Sequence, residues 1–202
     1  FVYPAGESGT FELNTDSYLY DLLRFREKYY GQIQIMFGVE LGLQPHLRDA
    51  LEFYTGNHDF DFIIGSSHIC NRKDPYYPEF FEGRSEDEAH QEYFESILEC
   101  VKETPYFDVY GHLDYVVRYG KSREKEYSYT DYADIIDEIL KLLIEKEKGL
   151  EVNSAGLKYG LPFAHPHPDV LKRYRELGGE IITVGADAHA PEHVGFAFEK
   201  VP

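Results

Sequence analysis

Five short apolar runs punctuate this sequence. Four of them run out into a side chain that can hold a metal, usually just after a glycine: IQIMFGVEL with Glu40, FDFIIGSSH with His68, YFDVYGHLD with His112, and IITVGADAH with Asp187 and His189. The fifth, GLEVNSAG, ends in a polar cluster at Asn153 and Ser154. Each run reads as a buried strand. One Glu or His after a strand means little, but the same placement four times points to a parallel sheet or barrel whose strand ends converge on one centre, where such folds hold their chemistry.

Helical periods fill the intervals. Asp16 is placed to cap a helix over Ser17–Tyr30, with Leu19, Leu22, Leu23 and Phe25 as its buried face and Gly31 as its stop. A strand over Ile33–Leu41 follows, then a short helix near Leu47–Phe53 and a strand over Phe62–Ile64 leading to His68. Prolines and aromatic residues mark 71–84 as an ordered loop. Ser85 and Glu88 form a capping-box pattern for a helix over Glu86–Glu103. Val109–His112 is strand-like. Thr130–Lys148 keeps one apolar stripe through Ile135, Ile136, Ile139, Leu140, Leu143 and Ile144, and Gly149 stops it. Leu150–Asn153 is a strand, Pro168–Leu177 a helix, and Gly178-Gly179 the turn into a strand over Ile181–Gly185. This alternation predicts right-handed βαβ units, a parallel sheet of the α/β class, and a single domain over residues 1–202.

A chain of 202 residues with 43% hydrophobic and 16% aromatic content can build one packed core. No apolar run approaches the roughly 18 residues of a membrane helix, so no membrane partner is expected. The formal charge of −17, from 20 basic and 37 acidic side chains, repels polyanions and argues against nucleic acid. A small phosphorylated substrate fits such a surface only where cations dominate locally. Cys70 and Cys100 lack disulfide or CxxC spacing, which fits a reducing cytoplasm. Cys70 reads as a free loop thiol. Nothing in the sequence sets the oligomeric state.

A hydrolytic metal site needs neutral imidazoles and carboxylates around an open position. Glu40 can bridge two ions through its two oxygens; His68, His112 and His189 offer ring nitrogens, and Asp187 a further anionic oxygen. Against this, an isolated histidine after a strand is more often a hydrogen-bonded structural residue. Five residues from four strand ends make the joint case stronger than any one of them. His46, His58, His90, His165, His167 and His193 do not share the placement, and His165-Pro-His167 reads as a loop pair at the surface or rim. Asp114, two residues past His112, either orients a ligand imidazole or makes a structural bond in a turn.

Around these residues the stretches GVELGLQP, FDFIIGSSHIC, EAHQEYFESILECV, GHLDYVVRYG, EVNSAGLKYG and GADAH resemble the polymerase-and-histidinol-phosphatase (PHP) superfamily, and within it the histidinol-phosphatase branch. The resemblance runs from about Phe11 to about Phe198. It implies a distorted (β/α)7 barrel with two or three divalent metal ions (Zn, Mn or Fe). The implied reaction is hydrolysis of L-histidinol phosphate to L-histidinol and phosphate in histidine biosynthesis, by attack of a hydroxide bridging the metals. By resemblance, Glu40 is the bridging carboxylate, His68 and His112 are ligands, and Asp187 and His189 are the last ligand pair. Glu40 and Asp187 carry the catalytic role, Arg118 binds phosphate and Lys158 adds a second basic contact. A buried phosphate site in so acidic a chain needs such cations. The family's opening His-x-His is absent upstream of Glu40, so the expectation is an internal fragment lacking the first strand or strands, the C-terminal end and part of the metal cluster. A PHP phosphoesterase acting on nucleotides or nucleic-acid ends, and a non-catalytic metal-binding barrel, are the alternatives.

Overall fold

The computed structural model describes residues 13–122 and 127–201. Its centre is one parallel sheet of five strands that lie side by side in chain order: β1 (Gly38–Gly42), β2 (Phe62–Ser66), β3 (Val109–Tyr110), β4 (Gly149–Asn153) and β5 (Ile182–Gly185). Glu40 lies opposite Ile64, Ile64 opposite Val109, Tyr110 opposite Leu150, and Leu150 opposite Ile182. Helices make the crossovers. After α1 (Thr15–Lys28), α2 (Arg48–Gly56) joins β1 to β2, α3 (Glu86–Glu103) joins β2 to β3, and α4 (Ala133–Glu145) joins β3 to β4; α5 (Ala155–Lys158) and α6 (Pro168–Glu176) lead to β5. Strand order that never reverses is the order of a barrel wall, not of a doubly wound sheet. Among the described residues β1 and β5 are edges and the sheet is open.

The capping box forms as expected: Glu88 N donates to Ser85 Oγ (3.2 Å) and Ser85 N to Glu88 Oε2 (2.8 Å). Helix α3 buries Tyr93, Phe94, Ile97 and Val101, and α4 packs beside it through Ile136, Ile139, Leu140 and Leu143. Helix α4 begins at Ala133, not Thr130, because Tyr129–Tyr132 form a 3₁₀ turn. Cys70 and Cys100 are free thiols; Cys70 lies in the loop after β2 as expected, and its side chain packs inside this core. No helix among the described residues is long and apolar enough to cross a membrane.

Two expectations at the start of the sheet fail for physical reasons. Strand β1 begins at Gly38, since its pairing with β2 begins with Gly38 opposite Phe62 and no strand flanks residues 33–37. That segment is held mainly by side chains, where Arg26 Nε donates to Ile35 O (2.6 Å) and Phe37 N to Asp61 Oδ2 (2.7 Å), with one backbone bond from Asp61 N to Phe37 O (2.7 Å). Helix α1 is capped by Asn14, whose Oδ1 accepts from Ser17 N (3.0 Å), with Asp16 one step into the first turn. Leu23 and Phe25 are about half exposed, at 51% and 49%. The helix docks instead along Thr15, Tyr18 and Leu22, through Thr15 Oγ1 to Tyr54 OH (2.7 Å) and Tyr18 OH to Gly38 O (2.9 Å).

Helices α4 and α6 are clasped by Asp137 and Arg173. The guanidinium donates Nε to Oδ1 (3.0 Å) and Nη2 to Oδ2 (2.6 Å), and Tyr129 OH donates to Oδ1 (2.6 Å). These bonds, Arg173's first, hold the Asp137 carboxyl below the usual range against the opposing effect of burial. A depressed folded pKa gives stability that is complete above the unfolded value of about 3.9 and fades as pH falls through the folded one. Asp137→Asn is therefore expected to cost about 2 kcal/mol at neutral pH. In urea unfolding the gap to wild type should stay constant from neutral pH down to about 5 and close below about 4. A gap that survived further acidification would show that the carboxylate charge is not its source.

Candidate metal centre

Three adjacent strands deliver three ligand-type side chains to one point. Glu40 lies within β1, His68 two residues past β2, and His112 two residues past β3. Glu40 Oε1 stands 3.1 Å from His112 Nε2 and 3.4 Å from His68 Nε2. One ligand atom from each of the three lies within 4.8 Å of the others. The imidazoles meet edge to face at 4.8 Å, and the Tyr115 ring backs both, at 5.1 Å from His68 and 4.9 Å from His112. His112 adopts φ +27°, a conformation that costs an L-residue free energy and is concentrated at functional sites.

The electrostatics suit a cation. Partial desolvation works to raise the Glu40 carboxyl, but the His112 hydrogen bond and the charges of His68 and His112 outweigh it and hold Glu40 well below the usual range. Its side chain keeps 34% of its surface open. Burial, followed by the like charge of His112, pushes His68 down to about 3, so it is a neutral imidazole at physiological pH. His112 is raised: burial opposes its charge, and the Glu40 hydrogen bond overrides burial. Two imidazole nitrogens and one carboxylate oxygen in a partly open pocket match the donor set of catalytic zinc-type ions. The residues therefore fit a divalent metal.

Asp187 and His189 do not join that triad. They form a pair at the turn after β5, where Asp187 has φ +48° and His189 Nδ1 lies 3.1 Å from Asp187 O and 3.4 Å from Asp187 Oδ1. The His189 side chain is 71% exposed. Lys158, the last residue of α5, donates Nζ to Asp187 O (3.2 Å) and so belongs to the same corner. Arg118 ends the 3₁₀ turn Tyr115–Arg118 and is only 7% exposed. Its guanidinium carbon lies 3.9 Å above the Tyr115 ring and 4.4 Å above that of Tyr159. Among the described residues Nε and Nη1 have no hydrogen-bond acceptor, and no carboxylate forms an ion pair with the guanidinium.

Two buried polar groups escaped the sequence reading. Glu151 on β4 is buried, and its Oε2 accepts from the His112 backbone N–H (3.2 Å) and from Asn153 Nδ2 (3.1 Å). Burial raises its carboxyl, and the neighbouring Glu40 charge pushes the same way. The signal was a lone acid inside an apolar strand, in phase with Asn153 on one face. His165 is fully buried, not at the surface or rim. Its backbone pairs with Asn153 in both directions (2.6 and 2.8 Å), which folds the loop back across the end of β4. Its Nδ1 lies 2.5 Å from Asp114 Oδ1, while Asp114 Oδ2 accepts from His167 N (2.7 Å). Asp114 thus anchors that loop and makes no hydrogen bond to the ligand-type His112.

An unreversed parallel sheet with ligand-type side chains at its strand ends is the architecture of a metal-centred hydrolase wall. The chain belongs to the PHP domain family, which residues 12–155 match. It is 32% identical to the histidinol-phosphatase of Lactococcus lactis, over 99% of this chain and 73% of that protein. A Clostridium acetobutylicum relative is 29% identical over 98% of this chain and 74% of its own length. The crystal structure of the Lactococcus lactis histidinol phosphate phosphatase, complexed with zinc, L-histidinol and phosphate, superposes with a TM-score of 0.82 at 29% identity, covering 94% of this chain and 71% of that one.

Proposed function

We infer that this protein is a metal-dependent phosphatase that hydrolyses L-histidinol phosphate to L-histidinol and phosphate. The observation that carries the reading is Arg118: a buried guanidinium without a carboxylate counter-ion among the described residues, within electrostatic reach of both His68 and His112. A buried charge without a partner is costly, and an incoming phosphate monoester supplies the missing anion. Glu40, His68 and His112 hold a divalent ion, and Asp187 and His189 supply further ligands for a set of two or three ions drawn from Zn, Mn or Fe. When bound, such ions supply Lewis-acid chemistry toward phosphoryl oxygens and water. Arg118 grips the phosphate and fixes its orientation, aided by stacking on Tyr115 and Tyr159. Glu40 and Asp187 carry the catalytic role among the acids of the site. Lys158, now on the Asp187 carbonyl, gives the phosphate a second cation. The two free thiols fit a cytoplasmic setting.

The test is phosphate release from L-histidinol phosphate, mononucleotides and short single-stranded DNA, with Zn²⁺, Mn²⁺ or Fe²⁺ supplied. Histidinol phosphate should give the highest kcat/KM. Metal-loaded protein that releases phosphate from nucleotides but none from histidinol phosphate would sink the substrate assignment. Lys158→Ala should raise KM about tenfold, the size of one charge-assisted hydrogen bond, with a smaller change in kcat. An unchanged KM would remove Lys158 from the phosphate site.

A further inference from the structure

Glu151 stands in the middle of β4, beside the ends of both neighbouring strands. It projects from β4 between Gly111, just after β3, and Gly185, the last residue of β5. A Cβ added at Gly185 would lie 2.0 Å from its Oε1, and one at Gly111 would lie 3.2 Å from its Oε2. Glycine at Gly185 is what leaves room for the carboxyl. Its Oε2 accepts the His112 N–H and an Asn153 Nδ2–H, and Asn153 Oδ1 in turn accepts from Ala155 N (2.9 Å). The carboxyl is therefore itself fixed.

His112 needs such fixing. Its φ of +27° persists only where the surroundings over-determine it. Two backbone bonds do so: the Glu151 carboxyl takes the His112 N–H, and Tyr115 N donates to His112 O (2.8 Å). Packing alone does not account for an acid here. A buried carboxyl close to Glu40 sets like charges together, and a methionine or leucine would fill the space without that repulsion.

We propose that Glu151 is a positioning residue of the metal centre: it clamps the His112 backbone so that the imidazole stays on Glu40 Oε1, and its other oxygen spaces β5, the strand that leads to Asp187. The proposal rests on the reading of Glu40, His68 and His112 as metal ligands. Glu151 acts through His112 and does not itself bind the ion.

Geometry and charge can be separated by titrating Co²⁺ and Zn²⁺ into metal-free protein and following the Co²⁺ absorption bands, chelator competition and thermal unfolding. Glu151→Gln keeps an acceptor at the same reach and should bind metal close to wild type. Glu151→Asp keeps the charge but withdraws the acceptor, and Glu151→Met removes it; both should weaken metal binding about 10- to 100-fold and shift the Co²⁺ bands. Thr104→Val, which loses a buried hydrogen bond to Cys100 O at the far end of α3, is the control and should lower stability with metal affinity unchanged. The proposal is overturned if Asp binds as wild type does while Gln loses affinity, or if Asp and Met weaken binding no more than Thr104→Val. Should the Met variant not fold, the Asp and Gln pair decides. Wild-type protein that takes up no metal would instead overturn the underlying ligand reading, and this proposal with it.

Discussion

Arg118→Met will lower kcat/KM toward a phosphomonoester by about 10²- to 10³-fold while moving the unfolding midpoint little. The catalytic loss is that of removing one preorganised cation from a site where charge is redistributed on phosphoryl oxygens. The small stability change follows from two opposing effects of similar size. Burying a guanidinium that has no carboxylate partner among the described residues costs several kcal/mol, and methionine avoids that cost. Stacking against Tyr115, Tyr119 and Tyr159 returns roughly 0.5–2 kcal/mol per ring, which methionine forfeits. Arg118→Lys should recover little activity, because a lysine ammonium cannot reproduce the planar two-point grip or the stacking. Steady-state kinetics and urea unfolding on the same preparations make the comparison. Activity near wild type in Arg118→Met would end the phosphate assignment, and activity lost only in proportion to unfolding would reduce Arg118 to a structural residue.

The alternation of strand and helix was legible because each crossover is local. The stripe of α4 and the box at Ser85–Glu88 are encoded within a few turns, so those elements fall where their own residues put them. Elements whose limits depend on a neighbour were less legible. Residues 33–37 are as apolar as β1, yet beyond the one backbone bond from Asp61 N to Phe37 O no strand pairs with them, so they stay out of the sheet. Helix α1 carries leucines on two faces, and which face is buried was decided by where Tyr54 and Gly38 stand.

The site divides in the same way. Glu40, His68 and His112 could be read from the sequence because adjacent parallel strands run toward one end, and the turns just past β2 and β3 bring His68 and His112 back onto the Glu40 side chain. Asp187 and His189 could not be paired with them by the same rule. The positive φ at Asp187 breaks the strand's alternation, so two residues apart no longer means one face. His165 was hidden by chemistry the sequence does not display: a histidine in a proline-flanked loop is usually exposed, and only the buried Asp114 carboxylate makes its interior position tolerable. Glu151 was visible as a lone acid in an apolar strand, but its meaning depended on the glycines of two other strands.

Glu40→Gln should abolish metal binding and, with it, phosphatase activity. Both His68 Nε2 and His112 Nε2 approach the same atom, Oε1 of Glu40, so this carboxylate is the anion around which the triad is organised. A glutamine keeps the shape and loses the charge. Divalent-ion affinity should then fall by more than the roughly 10- to 100-fold that removal of an outer-shell partner costs. Added metal should not restore activity in the accessible range. Glu40→Asp keeps the charge but withdraws the oxygen from two imidazoles at once, so it should recover part of the affinity and little of the rate. The fold has little reason to change: His68 is already neutral, burial favours a neutral His112 once the Glu40 charge is gone, and the Glu40 side chain is a third exposed, so the variant leaves no large uncompensated charge behind. Elemental analysis after dialysis against chelator-treated metal buffer reads the affinity, and circular dichroism reads the fold. A Glu40→Gln protein that keeps its metal and its kcat would show that the ion is held elsewhere, and that the convergence of β1, β2 and β3 on one oxygen serves only to pack their ends.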